Sequence, residues 1–180
     1  MKVVHTIAPF YDENSEALIL GSFPSVKSRE QGFFYGNEKN RFWKVLSELF
    51  GEDEPKTVLE KKSFLKRRRI ALYDVVFSCE IEGSSDSKIK NVVPSDIDEI
   101  LKNAKIKAIF LNGKKAAELF DKYFSVEVPV KVMPSTSPAN AAFSKDRLID
   151  NWKELQSYLD RQIKDVTAEK KPKGEIKWQK

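Results

Sequence analysis

Two residue types that build metal and disulfide sites are almost missing from this chain of 180 residues, which has one cysteine, Cys79, and one histidine, His5. That excludes a disulfide framework, a Cys-rich zinc site and a Cys-ligated iron–sulfur cluster. No apolar run approaches the roughly 20 residues needed to cross a bilayer. The opening Met-Lys-Val-Val-His is interrupted by polar and turn residues before a signal-peptide core could build up. The expectation is a cytoplasmic protein with no membrane partner. No Ser-His-Asp set, no His-rich metal spacing and no Gly-rich phosphate or dinucleotide motif occurs, so the usual signatures of serine hydrolases, metalloenzymes and nucleotide enzymes are lacking.

What is present is the mix of a globular protein, 41% hydrophobic and 33% charged. The length suits one substantial core and is short for two ordinary domains. Lys and Arg number 32 against 27 Asp and Glu, a net charge of +5. Six basic residues and no acidic one lie between Lys61 and Arg69, and the segment from Lys170 to Lys180 is Lys-rich. Such runs serve either as solvated helix ends and termini or as surfaces for a polyanion, and charge alone does not decide between them.

Short, nearly continuous apolar runs at Ala17–Leu20, Ile70–Val76, Ile106–Leu111 and Val128–Met133 read as parallel strands buried on both faces. Amphipathic stretches separate them. Asn40–Phe50 places Phe42, Val45, Leu46, Leu49 and Phe50 on one stripe and stops at Gly51. Thr57 with Glu60, and Ser95 with Asp98, read as capping boxes. Gly113–Phe124 and Asp146–Ile163 complete the helices, the last with Leu148, Trp152, Leu155 and Leu159 on one face. The alternation predicts an α/β fold, a three-layer α/β/α sandwich with a central, mainly parallel four-stranded sheet. One domain over 1–163 and a basic, mobile tail over 164–180 are expected.

Ligands of such sheets bind beyond the carboxyl ends of the strands. The segments there are Gly21-Ser22-Phe23-Pro24-Ser25, then Asp74, then Asn112-Gly113-Lys114, and finally Pro134-Ser135-Thr136-Ser137-Pro138-Ala139-Asn140. Small hydroxyl residues, Gly and Asn suit contacts to phosphate, and they are equally common turn formers. The loop Lys27–Arg41 carries Phe33, Phe34 and Tyr35 in a row. These rings offer a face on which a base can stack, or they anchor the loop to the core. Asn40 is a candidate catalytic residue and, just as plainly, a good helix N-cap. Asp74, in an apolar strand, either bonds a neighbouring loop or points into a pocket. His5 reads as a surface or packing residue, and Trp43 and Trp152 as core.

The Gly-Ser-Phe-Pro-Ser segment and the Ser-Thr-Ser-Pro-Ala-Asn segment, each behind a predicted strand, resemble the two signature motifs of the uracil-DNA glycosylase superfamily. The stretch Gly21–Trp43, ending Asn-Arg-Phe-Trp, is most similar to its hypoxanthine-DNA glycosylase branch. The likeness continues through Leu72–Ser87 and Asn112–Ala116. It implies a monofunctional enzyme of base excision repair that flips a damaged base from double-stranded DNA and hydrolyses its glycosidic bond, as a monomer and without a metal or organic cofactor. Most members place a catalytic Asn, Asp or Glu where this chain has Phe23, which cannot orient water by a side-chain hydrogen bond. The resemblance moves that duty to Asn40, whose amide oxygen is expected to hold the water. Ser135 stands where uracil-specific members carry His, and Ala139 where they insert Leu into DNA, which shifts the expected base from uracil toward hypoxanthine, with xanthine and uracil remaining open.

On this reading Ser22, Phe23, Phe33, Phe34, Asp74 and Asn112 line the base pocket, Asp74 contacting the base edge as a proton donor if burial keeps it protonated. Ser25, Lys27, Ser28, Arg29, Ser135, Thr136, Ser137, Pro138, Ala139 and Asn140 hold the DNA. The alternatives are a non-catalytic nucleic-acid-binding protein of the same fold and a small-molecule nucleotide enzyme.

Overall fold

The computed structural model of the protein describes residues 1–81 and 89–169. In chain order its first half runs β1 (Lys2–Val4), β2 (Ala17–Gly21), α1 (Val26–Gln31), α2 (Phe42–Phe50), α3 (Val58–Arg67), β3 (Ile70–Asp74) and β4 (Val76–Ile81). The second half runs β5 (Ile89–Pro94), α4 (Asp98–Asn103), β6 (Ala108–Asn112), α5 (Lys114–Tyr123), β7 (Val130–Met133) and α6 (Lys145–Glu169). Four parallel strands pair in the order β3-β2-β6-β7. Every residue of β2 and β3 is buried. Helices flank the sheet, which is why these strands read as unbroken apolar runs.

The helices form where periodicity and caps place them. In α2 the stripe Phe42, Val45, Leu46 and Leu49 is buried, and Gly51 closes the helix in the left-handed conformation at φ 65°. Thr57 and Glu60 form a complete capping box on α3. Ser95 and Asp98 do not, because α4 begins at Asp98 itself and Asp96 accepts the Glu99 N–H at 3.3 Å. In α6 the residues Leu148, Trp152, Leu155 and Leu159 are all buried. That helix runs to Glu169, past Lys164, and residues 170–180 lie outside the described region.

A second sheet escapes the sequence pattern. Strands β1, β4 and β5 form a small antiparallel sheet in the order β1-β4-β5. The run Ile70–Val76, expected as one strand, divides at Val75, whose N–H bonds the Gly21 carbonyl at 2.8 Å while its carbonyl accepts from Ser95. The chain thus passes directly from the carboxyl end of β3 into the small sheet, which stands beside that end. β1 has three residues, and β5 mixes half-buried with exposed positions, so neither produces an apolar run.

Part of the basic run in and after α3 is engaged within the fold. Arg67 and Arg68 both pair with Glu52, and Arg69 pairs with Glu16 at 3.2 Å. Lys61 is buried over the ring of Trp43, and Lys62 lies over Phe33. Two carboxylates thus offset part of the run, and Lys62, Lys66 and Arg67 remain exposed.

Trp152 couples α6 to the site loop, its Nε1 donating to the Pro134 carbonyl at 3.0 Å while its ring meets Phe42 edge-on. Trp152→Phe keeps most of the packing and removes the donor. Urea unfolding should show a loss of about 1–2 kcal/mol, and an unchanged midpoint would show that this bond adds nothing.

Candidate active site

β2 lies between β3 and β6, so the chain leaves β2 toward one side and later returns on the other. A crevice opens at the carboxyl ends where strand order reverses in this way. Gly21 ends β2 directly opposite Asp74, which ends β3, and Asn112 ends β6 opposite Met133 of β7. A Cβ on Gly21 would lie 2.6 Å from Asp74 Oδ1 and 3.1 Å from the Tyr35 hydroxyl, so a side chain here must displace one of them. The carboxylate and the phenol therefore converge over a residue that only glycine can supply.

Tyr35 holds a left-handed backbone at φ 55° and stacks on Phe42 with ring centroids 3.9 Å apart. Burial, and next the charge of Asp74, push its phenol well above the usual tyrosine range, so it stays a neutral O–H. Its oxygen accepts from Asn112 Nδ2 at 3.2 Å.

The other polar groups form one chain of hydrogen bonds. Asn112 Nδ2 donates to Thr136 Oγ1 at 3.0 Å, and that hydroxyl donates to Asn40 Oδ1 at 2.8 Å. Asn40 Oδ1 also accepts the Phe42 N–H at 2.9 Å, and Asn112 Oδ1 accepts the Thr136 N–H at 3.0 Å. Backbone N–H groups can only donate, which fixes the orientation of both carboxamides. The lone pairs of the Asn40 oxygen are thus engaged by two donors. Its Nδ2 makes no hydrogen bond among the described residues, so the half of this amide free to meet a ligand is the amino group and not the expected oxygen. A polar recess of about 440 Å³ opens beside Asn40, with Tyr35, Trp43, Lys44 and Lys61 in its wall.

His5 is packed inside the site. It is 6% exposed, and its ring meets Phe23, Phe34 and Tyr73 at centroid distances of 5.9, 6.1 and 4.9 Å. Its Nε2 is 2.8 Å from Asp74 Oδ2, and its Nδ1 accepts the Ile7 N–H at 3.2 Å. Asp74 thus meets His5 as an acceptor.

A family model described as the uracil DNA glycosylase superfamily matches residues 8–161. The chain belongs to that superfamily. A protein named hypoxanthine DNA glycosylase from Methanosarcina acetivorans is 41% identical over 138 residues, covering 76% of this chain and 87% of the relative. A protein of the same name from Methanosarcina barkeri is 35% identical over 142 residues, covering 77% and 89%. The fold matches the solution NMR structure of a candidate uracil DNA glycosylase from Methanosarcina acetivorans at a TM-score of 0.75 and 36% identity, over 89% of this chain and 99% of that one.

Within this member of the superfamily several expected contacts turn out to be internal. Phe33 is 3% exposed between Phe10, Phe34 and Trp43, and Phe34 is 2% exposed against His5 and Tyr73. Both rings anchor the loop, and neither shows a free face for a base. Phe23 is also buried, with the Arg29 guanidinium over its ring at 5.6 Å. Asn112 braces Tyr35 and Thr136 with both halves of its amide. Thr136 is 1% exposed, out of reach of a phosphate. Ser28 is equally buried, bonding Ser25 and the Gly36 N–H. Ser22 lies half-buried beside Gly21. Ser25, Lys27, Pro138 and Ala139 are exposed, and Arg29, Ser135, Ser137 and Asn140 half-exposed, which leaves these as the DNA-facing candidates.

Two residues carry more of the site than the sequence alone reveals. The sequence places Tyr35 in the aromatic run as a stacking face or a loop anchor, and gives no sign of a role for its hydroxyl. Nothing local in the sequence marks Arg41, although it stands beside Asn40 in the Asn-Arg-Phe-Trp segment. Its guanidinium donates to the carbonyls of Ser137, Asn140 and Phe143, the first two at 2.8 and 3.1 Å, and its N–H bonds the Thr136 carbonyl. One planar fork thereby ties the Asn40 turn to the loop after β7. Arg41→Ala should raise amide hydrogen exchange across residues 137–143 at least about tenfold, with little change in the β2–β6 core. Uniform protection in that loop would mean the clamp is dispensable.

Proposed function

We propose that the chain is a monofunctional DNA glycosylase whose principal substrate is hypoxanthine in duplex DNA. The observation that carries this reading is Asn40, locked by Thr136 and Phe42 at the carboxyl ends of the strands, in a chain 41% identical to a hypoxanthine DNA glycosylase. The exposed Lys27 and Ser25, the half-exposed Arg29 and the 137–140 turn grip phosphates on either side of the damaged nucleotide. Extruding that nucleotide costs a few kcal/mol, least at a mismatch, which favours damaged sites. Asp74 Oδ1 and the Tyr35 hydroxyl, converging over Gly21, meet the base edge.

The glycosidic bond breaks with its electron pair moving to the base, and a water oxygen bonds the sugar carbon. The water gives up one proton to solvent and the departing base takes one up, so that the sum is water added across the bond. Asn40 holds this water through Nδ2, its oxygen being engaged, so it contributes orientation rather than proton abstraction. Phe23 at the position of the usual motif-one catalyst is the one feature that favours a non-catalytic DNA-binding protein, and base release separates the two readings.

Single-turnover excision from duplexes carrying hypoxanthine, xanthine or uracil should be fastest for hypoxanthine, and no release from any of them would sink the enzyme assignment. Asn40→Ala should slow excision about 10²-fold or more with duplex affinity nearly unchanged; equal rates would remove Asn40 from the mechanism. Borohydride should trap no covalent adduct, since a Lys Schiff base is not part of this route.

A further inference from the structure

The mechanism leaves the buried imidazole of His5 without a task. His5 directly follows β1, at the margin of the small sheet, yet its imidazole reaches the carboxyl end of β3. The Ile7 N–H can only donate, so the ring nitrogen it meets, Nδ1, carries a lone pair. The ring proton is therefore on Nε2 and is given to Asp74 Oδ2. Aromatic rings from three other segments, Phe23, Phe34 and Tyr73, hold the imidazole in that plane. Asp74 is left with one free acceptor, Oδ1, which accepts no hydrogen bond among the described residues and faces the space over Gly21.

We propose that His5 is a positioning residue that fixes Asp74 as a one-sided hydrogen-bond acceptor, the device by which the site reads the ring N–H that deamination creates. Adenine and cytosine each present an unprotonated ring nitrogen on their pairing edge. Hydrolytic deamination converts that lone pair into an N–H in hypoxanthine and in uracil. A carboxylate oxygen fixed in place accepts from the N–H and repels the lone pair, so one atom separates the deaminated base from its parent. Sites built around such a bond reject analogues that cannot make it far more strongly than apolar pockets reject a change of size. Without the clamp, Asp74 could rotate and present either oxygen, or turn away toward β1. This role rests on the glycosylase reading above, whereas the tautomer and the clamp do not.

His5 is the only histidine, so the ring nitrogens of a 15N-histidine-labelled sample report on it alone. At neutral pH the wild-type protein should show a protonated Nε2 and an unprotonated Nδ1 in slow exchange; the opposite tautomer, or averaging of the two, overturns the clamp whether or not the protein excises bases. Single-turnover excision of hypoxanthine then tests the role. His5→Leu keeps the bulk and removes the donor, and should lower the rate about tenfold to 10²-fold at unchanged duplex affinity. His5→Gln, which can still place an N–H near Oδ2, should recover most of that loss. Equal rates for the two variants, high or low, overturn the positioning role. Absence of excision by the wild type instead overturns the glycosylase reading and, with it, the proposed reading of the base.

Discussion

The hydroxyl of Thr136 joins elements that are far apart in the chain. It accepts from Asn112 at the end of β6 and donates to Asn40 just ahead of α2, across 96 residues of sequence. A hydroxyl offers one donor and two acceptor sites, so this single group both receives and passes on polarity. Because it is 1% exposed, water cannot easily replace either partner. An unmet bond here would leave a buried polar atom at a cost of about 1–3 kcal/mol. The orientation of Asn40, the position of Tyr35 and the path of the loop after β7 all follow from keeping that network complete.

Arg41 and Trp152 secure the same loop from other directions. The guanidinium gathers three carbonyls of the 137–143 segment, and the indole takes the carbonyl of Pro134. Both donors project from helices or their ends, so rigid elements bear on an irregular stretch of backbone. The loop is therefore anchored at each end, with Pro138 and Ala139 exposed between the anchors. Little conformational freedom is left in this loop to be lost on contact with a ligand.

Much of the fold was legible because burial on both faces writes itself as unbroken apolar runs. β2 and β6 and the stripes of α2 and α6 appear in the sequence within a few residues of their true limits. The small sheet was illegible for the opposite reason: β1 is three residues long, and the half-exposed β5 carries Lys90 and Asn91 between apolar residues. At the site, the residue types near the strand ends were readable, but their direction was not. Asn112, Thr136 and Ser28 are polar residues in the right loops whose hydrogen-bonding groups turn inward. Phe33 and Phe34 follow the same rule, since an aromatic pair in a charged loop gives no sign of which side it faces. His5 was the least readable, because its partner lies 69 residues away and nothing local to Met1–Ile7 announces it.

The bond between Asn40 and Thr136 also sets the order in which this protein can become competent. Residues 1–112, with three of the four parallel strands and both carboxyl-end partners Gly21 and Asp74, leave the ribosome before Thr136 does. Until the last strand docks, the Asn40 oxygen has its local Phe42 donor but lacks the distant one. Contacts of such long sequence separation form late, after the loop closures that precede them. An incompletely folded chain thus holds the Asn40 amide by its local bond alone, and docking of the last strand supplies the second.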